Sequence, residues 1–152
     1  MASANAERVF LDTNILTRAT VITAPLHEAA LAAVERFWEA EAELWISQQV
    51  IREYLATVTR PQTYAQPVPM ARALEQARRF RVRFHVAEGT VAVLDRLLEL
   101  LAAVPMGGRQ VHDANVVATM LAYNIRTLCT HNVADFERFS DYITVLPLED
   151  KP

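Results

Sequence analysis

Residues 8–16 read RVFLDTNIL, and the fold turns on the first five of them. Arg8 to Leu11 is a short run of the kind buried on both faces of a parallel sheet, and it stops on an acid, Asp12, followed by the polar pair Thr13-Asn14. We read Arg8 to Leu11 as a strand and Asp12-Thr13-Asn14 as the turn that ends it. Downstream, TAPLHEAALAAVERFWEAEAE (23–43) places Leu26, Ala30, Ala33, Val34, Phe37 and Trp38 at helical spacing, with Thr23 as the cap and Pro25 in the first turn. LWIS (44–47) is a second strand, and Ser47 caps a helix whose Val50, Ile51, Tyr54, Leu55 and Val58 face inward. Arg60-Pro61 ends that helix, RPQTYAQPVP (60–69) is a loop, and Pro69 starts a helix that runs to Arg79. RVRFHV (81–86) alternates Val82, Phe84 and Val86 as a third strand. Residues 90–103 form a leucine-striped helix and Gly107-Gly108 break the chain. Helical spacing then resumes through Ala114, Val117, Ala118 and Leu121, to stop at Asn124. RTLCT (126–130) and ITVLP (143–147) are two more strands, separated by a short turn or helix, NVADFERF (132–139).

Strands alternating with helices at this spacing predict parallel pairing in an α/β sandwich, in which ligands bind at the carboxyl ends of the strands. At 152 residues, 52% of them hydrophobic and only three of them glycine, the chain is expected to be one domain, 1–152, with an ordinary core. No apolar run is long enough to span a bilayer, and MASANAER lacks the basic-then-apolar pattern of a leader, so a cytoplasmic location is expected. The single cysteine, Cys129, reads as a buried small hydrophobe. A net charge of −3 exerts no global pull on nucleic acid. Of the 15 basic residues 14 are arginines, and the one lysine is Lys151.

Asp12 has company at the same edge: Glu53 in the helix after LWIS, Asp113 near the start of a later helix, and Asp135 just after RTLCT. Gln49 lies one turn before Glu53 on its own side of the helix. Any one of these acids read alone is a surface or capping residue; the set is what draws notice. Converging carboxylates raise one another's pKa and need a cation, and no lysine is at hand. All-oxygen ligands favour a hard divalent ion, Mg²⁺ or Mn²⁺, and the matching chemistry is phosphoryl transfer to water.

VFLDTNIL, the glutamate in SQQVIREYL, VHDANVVATML and LCTHNVADFERF, in this order and spacing over nearly the whole chain, resemble the motifs of the PIN-domain ribonucleases, most of all the VapC toxins of bacterial toxin–antitoxin pairs. The resemblance implies that Asp12, Glu53, Asp113 and Asp135 are the catalytic and metal-binding acids and that Asn14, Thr130 and Asn132 support them. It further implies a three-layer α/β sandwich, with a parallel sheet of about five strands and helices on both faces. The implied activity is Mg²⁺- or Mn²⁺-dependent cleavage of RNA by a homodimer, inhibited by a cognate antitoxin whose tail lies along the toxin groove.

Other signals weigh less. Arg109, four residues before Asp113, and His112 beside it are candidate RNA contacts, although a solvated histidine is the commoner case. Arg78, Arg79, Arg81 and Arg83 could grip phosphate, but such runs usually coat a solvated face. Phe37, Trp38 and Tyr54 suit the core or an antitoxin groove, and His131, His27 and His85 carry no distinct signal. A phosphoaspartate phosphatase would need a lysine near the phosphate and a second aspartate where Asn14 stands. A catalytically silent PIN-like binding module is the other alternative, and one that has no need to keep all four acids.

Overall fold

The structure, a computed structural model, describes residues 6–61 and 66–148. Five strands, β1 (Arg8–Leu11), β2 (Glu43–Ser47), β3 (His85–Ala87), β4 (Thr127–Thr130) and β5 (Thr144–Pro147), form one parallel sheet in the order β3-β2-β1-β4-β5. Val9 stands opposite Leu44 on one side and Thr127 on the other, and Phe10 opposite Trp45 and Leu128. Val9, Phe10, Leu11, Leu44, Ile46 and Leu128 are all buried, as expected for strands covered on both faces.

Among the described residues seven α-helices connect the strands: α1 (Thr13–Thr20), α2 (His27–Glu39), α3 (Gln48–Val58), α4 (Met70–Arg83), α5 (Val91–Ala103), α6 (Gln110–Ala122) and α7 (Val133–Phe136). Successive steps from β1 to β3 go one way across the sheet, and the return to β4 and β5 goes the other. Right-handed crossovers therefore put α1 to α4 on one face and α5 to α7 on the opposite one. The packing agrees, α1 lying against α2 and α3, α3 against α4, and α5 against α6. The direction reverses between β1 and β4, which opens a crevice at their carboxyl ends.

Several expected element boundaries are corrected. Asp12-Thr13-Asn14 is no free turn: α1 starts at Thr13, with Asp12 as its cap, and buries Ile15 and Leu16. Thr23 does not cap the next helix. α2 begins at His27, and Leu26 before it takes a left-handed conformation (φ 62°) without a side-chain cap. α4 does not stop at Arg79 but runs on to Arg83, so the third strand is only His85–Ala87 and Val82 points outward at 87% exposure. The reason is visible in the burial: Ala73, Ala77, Phe80 and Phe84 keep helical spacing, which overrides the short Val82, Phe84, Val86 alternation. Residues 62–65 of the expected proline-rich loop, and Lys151, lie outside the described residues.

Other expectations hold. Ser47 Oγ accepts from Val50 N at 3.2 Å and caps α3. Asn124, in the left-handed region (φ 58°), ends α6. Tyr54 is core, edge-on to Phe80 at 4.9 Å, whereas Trp38 is part-exposed and stacks on Phe84. Cys129 is buried and its thiol is pushed up to about 11 by that burial, which leaves it a packing residue. Among the described residues no helix is long and apolar enough to cross a membrane.

Candidate metal centre

The three central strands each deliver polar groups to the same edge. β1 ends in Asp12, β2 runs directly into α3 with Gln49 and Glu53 in its first turns, and β4 ends in Thr130 with Asn132 and Asp135 just beyond. Asp113 arrives from the opposite face, in the first turn of α6. Asp12, Asn14, Glu53, Asp113 and Asn132 line one open cleft, together with Thr13, Thr17, Arg18 and Thr57.

Asp12 is only 8% exposed, and three donors fix its carboxylate. Oδ1 accepts from Thr13 N at 2.8 Å; Oδ2 accepts from Thr130 Oγ1 at 2.8 Å and from Asn14 Nδ2 at 3.1 Å. Both supports are themselves saturated. The Thr130 hydroxyl, having given its proton to Asp12, accepts from Asn14 Nδ2 and from Asn132 N, while Asn14 Oδ1 accepts from His131 N at 2.9 Å. Asn14 and Thr130 thus hold Asp12 through their side chains, and Asn132 acts on Thr130 through its backbone N–H.

Glu53 is gripped at both oxygens, Oε2 by Thr13 Oγ1 at 2.7 Å and Oε1 by Gln49 Nε2 at 3.0 Å. Gln49 in turn accepts from Asn115 Nδ2 at 2.6 Å. Thr13 and Asn115 went unnoticed in the sequence. A threonine inside a helix-opening segment and an asparagine two residues beyond an aspartate have no distinctive pattern, and only the packing of α1, α3 and α6 gives them partners.

Electrostatics bind the four acids into one cluster. Burial raises the Asp12 pKa, and the charge of Glu53 adds to the rise against the opposing hydrogen bonds. The Asp113 carboxyl is pushed up to about 6, first by burial and then by Asp135, Asp12 and Glu53, with Arg138 offsetting only in part. None of the ion pairs of the described residues includes these acids. Asp135 itself is exposed and does not line the cleft, and it acts on Asp113 through space.

Among the described residues no three Asp, Glu, His or Cys side chains stand close enough to grip one ion together. That spacing gives no all-protein cage, and the all-oxygen donor set suits a hard divalent cation that keeps water in its shell. Mg²⁺ dehydrates reluctantly and binds through one or two carboxylates while keeping several waters. Arg109 and His112 are exposed and line no part of the cleft, nor do Arg78, Arg79, Arg81 and Arg83. The last of these is occupied otherwise, its guanidinium lying 6.0 Å from the Trp38 ring.

The PIN domain family model matches residues 9–142. Ribonuclease VapC48 of Mycobacterium tuberculosis is 32% identical over 133 residues, which cover 84% of this chain and 89% of that protein. Among solved structures, VapBC2 of Rickettsia felis, bound to a DNA fragment from its promoter, aligns with a TM-score of 0.67 at 17% identity over 92% of this chain and 98% of that one. The M. tuberculosis toxin VapC20, which cleaves the sarcin-ricin loop, gives 0.59 at 20% identity, over 79% and 86%. DNA-bound VapBC of Salmonella typhimurium gives 0.65 at 20% identity, over 94% and 99%. At such identities these structures speak for the fold.

Proposed function

The chain belongs to the PIN-domain family, and from that premise we propose that it is a metal-dependent endoribonuclease, a single nuclease domain over residues 1–152, serving as the toxin of a toxin–antitoxin pair. The observation that carries this reading is the gathering of three carboxylates, Asp12, Glu53 and Asp113, from three separate segments around one cleft, with Asp135 acting on Asp113 from its rim and no ion pair to any of the four among the described residues. Such a cluster selects a ligand that brings positive charge.

Of Asp12, Asp113, Glu53 and Asp135, one or two would hold Mg²⁺ or Mn²⁺ directly and the others through its retained waters; when bound, the ion would supply a Lewis acid for phosphate oxygens and a lowered pKa for water. The chain's own groups do the positioning. Thr13 N, Thr130 and Asn14 prevent rotation of the Asp12 carboxylate, and Thr13 Oγ1 ties Glu53 to the same corner. With a net charge of −3 the protein does not attract RNA as a whole, so contact with the scissile phosphate at the acidic cleft would depend on a bound divalent cation. Arg109 and His112, exposed at the start of α6, are the candidate RNA contacts beyond it.

The partner follows from the same premise. Chains of this fold are found in VapBC complexes, and we assign this chain a cognate antitoxin that inhibits it in the cytoplasm. The exposed Val91, Leu94 and Leu98 on α5 support a homodimer.

Purified protein should cut RNA with Mg²⁺ or Mn²⁺ and should not cut it in excess EDTA or with Ca²⁺ alone, whose looser coordination suits in-line transfer poorly. Asp12→Asn and Asp113→Asn should each lower cleavage more than about a hundredfold, several kcal/mol of lost transition-state stabilisation, with the circular dichroism spectrum unchanged. Robust cleavage in EDTA overturns the metal-dependent reading. A wild type that binds Mn²⁺ and cuts no RNA is a binding module.

A further inference from the structure

Glu53 and Asp113 stand on helices that pack against different neighbours, α3 on α1 and α4, and α6 on α5. A pair of amides crosses the gap between them. Asn115 Nδ2 donates to Gln49 Oε1 at 2.6 Å, and Gln49 Nε2 donates both to Glu53 Oε1 at 3.0 Å and to the His112 carbonyl at 3.2 Å. Every polar hydrogen of the Gln49 amide is therefore used, and its oxygen as well. Reversing that amide would set its oxygen against a carboxylate and a carbonyl, and its NH₂ against the Asn115 NH₂, so only one orientation satisfies the site.

The bridge touches α6 at residues 112 and 115, on either side of Asp113, and touches α3 at the Glu53 carboxylate itself. The other Glu53 oxygen is tied through Thr13 to the corner that holds Asp12. A continuous chain of hydrogen bonds thus runs from α6 across the cleft to the end of β1, and the Gln49 and Asn115 amides are its only link between the two walls among the described residues' side-chain bonds.

We propose that Gln49 and Asn115 are positioning residues that set the separation of Glu53 from Asp113 and so tune the cleft for its divalent cation. The inference rests on the metal-dependent reading above. Groups that orient metal ligands without touching the ion are worth about 10- to 100-fold in affinity, and a loss of that size is expected here. Gln49→Met keeps length and volume while removing all three hydrogen bonds, and Asn115→Ala removes only the donor to Gln49.

Mn²⁺ binding to the full-length protein is measured by calorimetry for wild type, both single variants, the double variant and Asp12→Asn, alongside RNA cleavage across a Mn²⁺ titration. Each single variant should bind Mn²⁺ about tenfold more weakly. The double variant should be no worse than the poorer single one, because the two amides act as a unit. Cleavage lost at low Mn²⁺ should return at high Mn²⁺, a rescue that a merely structural role does not give. Variants that bind Mn²⁺ as tightly as wild type, or that no excess of Mn²⁺ restores although they are folded, overturn the proposal. If Gln49→Met does not fold, Asn115→Ala decides the matter alone. A wild type that binds no Mn²⁺ and cuts no RNA refutes the underlying reading instead, and Asp12→Asn marks what that failure looks like.

Discussion

Asp12 holds two positions at once, capping α1 through Thr13 N and offering a buried charge to the cleft, so replacing it changes hydrogen bonds as well as charge. Asp113 separates the two effects, since burial and neighbouring acids perturb it and no hydrogen bond is among the causes. Its pKa in the folded protein, about 6, lies above the ordinary 3.8, so the folded state holds the proton more tightly than the unfolded chain does. Without metal the charged Asp113 burdens the fold fully above pH 6, and the burden lifts as pH falls through 6 toward 4. Metal-free Asp113→Asn should therefore melt above wild type at pH 7.5, and the gap should shrink to about half by pH 5 and nearly close by pH 4. Saturating Mn²⁺ at pH 7.5 should reverse the order, because wild type gains more from binding. Melting curves in EDTA and in Mn²⁺ across this range test it, and a gap in EDTA that ignores pH would remove Asp113 from the acidic cluster. The acids drew notice in the sequence as a set beside element ends and short polar segments, whereas Asn14 and Thr130 were named only through the family resemblance; in the structure both hold the Asp12 carboxylate. Thr13, Gln49 and Asn115 were not legible as a network, since each finds its partner across helices whose relative placement no local pattern encodes.

At the scale of elements, ends and lengths were less legible than existence. α1 has eight residues, three of them threonine, and its inward Ile15 and Leu16 are too few to declare a period. α4 was cut short because three alternating residues imitate a strand. Two helix ends show the same physics with different residues. α6 closes with Ile125 N bonded to Met120 O at 2.7 Å and Asn124 N to Leu121 O at 3.2 Å; α2 closes with Ala42 N bonded to Phe37 O at 2.9 Å and Glu41 N to Trp38 O at 3.0 Å. Both put a left-handed residue after the cap, Asn124 at φ 58° and Glu41 at φ 58°. Asparagine tolerates that conformation and marked the stop in advance, whereas glutamate bears its strain and left no sign. Glu41 is exposed, so Glu41→Gly removes the strain without opening a cavity. The variant should gain about 0.5–1 kcal/mol and melt a few degrees higher, with cleavage unchanged. Thermal denaturation at fixed pH reads this directly, and a lower melting temperature would show that the glutamate side chain stabilises the turn.

For the molecule as a whole, parallel pairing was the part most firmly implied, because strands alternating with helices favour parallel crossovers; the strand order, with its reversal between β1 and β4, comes from the structure alone. What single-chain patterning leaves open is the surface. The leucine stripe expected to bury residues 90–103 has two faces in the structure. Val93 and Leu100 enter the core, while Val91, Leu94 and Leu98 remain 76%, 52% and 57% exposed. These three recur at i, i+3 and i+7, the seam by which one helix meets another, and α6 already occupies the opposite side of α5. A second copy of the chain satisfies such a stripe most economically, since a two-fold axis sets the same three residues against themselves. If α5 forms that seam, wild type should sediment as a dimer and melt higher as protein concentration rises. Leu94→Glu combined with Leu98→Glu should sediment as a monomer with a melting temperature independent of concentration, and its Mn²⁺ affinity should match wild type because neither residue lines the cleft. Exposed leucines on the outward face contribute little to the core, so loss of folding is not expected from the double change. A variant that sediments as wild type does, or a wild type that is monomeric at every concentration, would show that this face has no partner of its own kind.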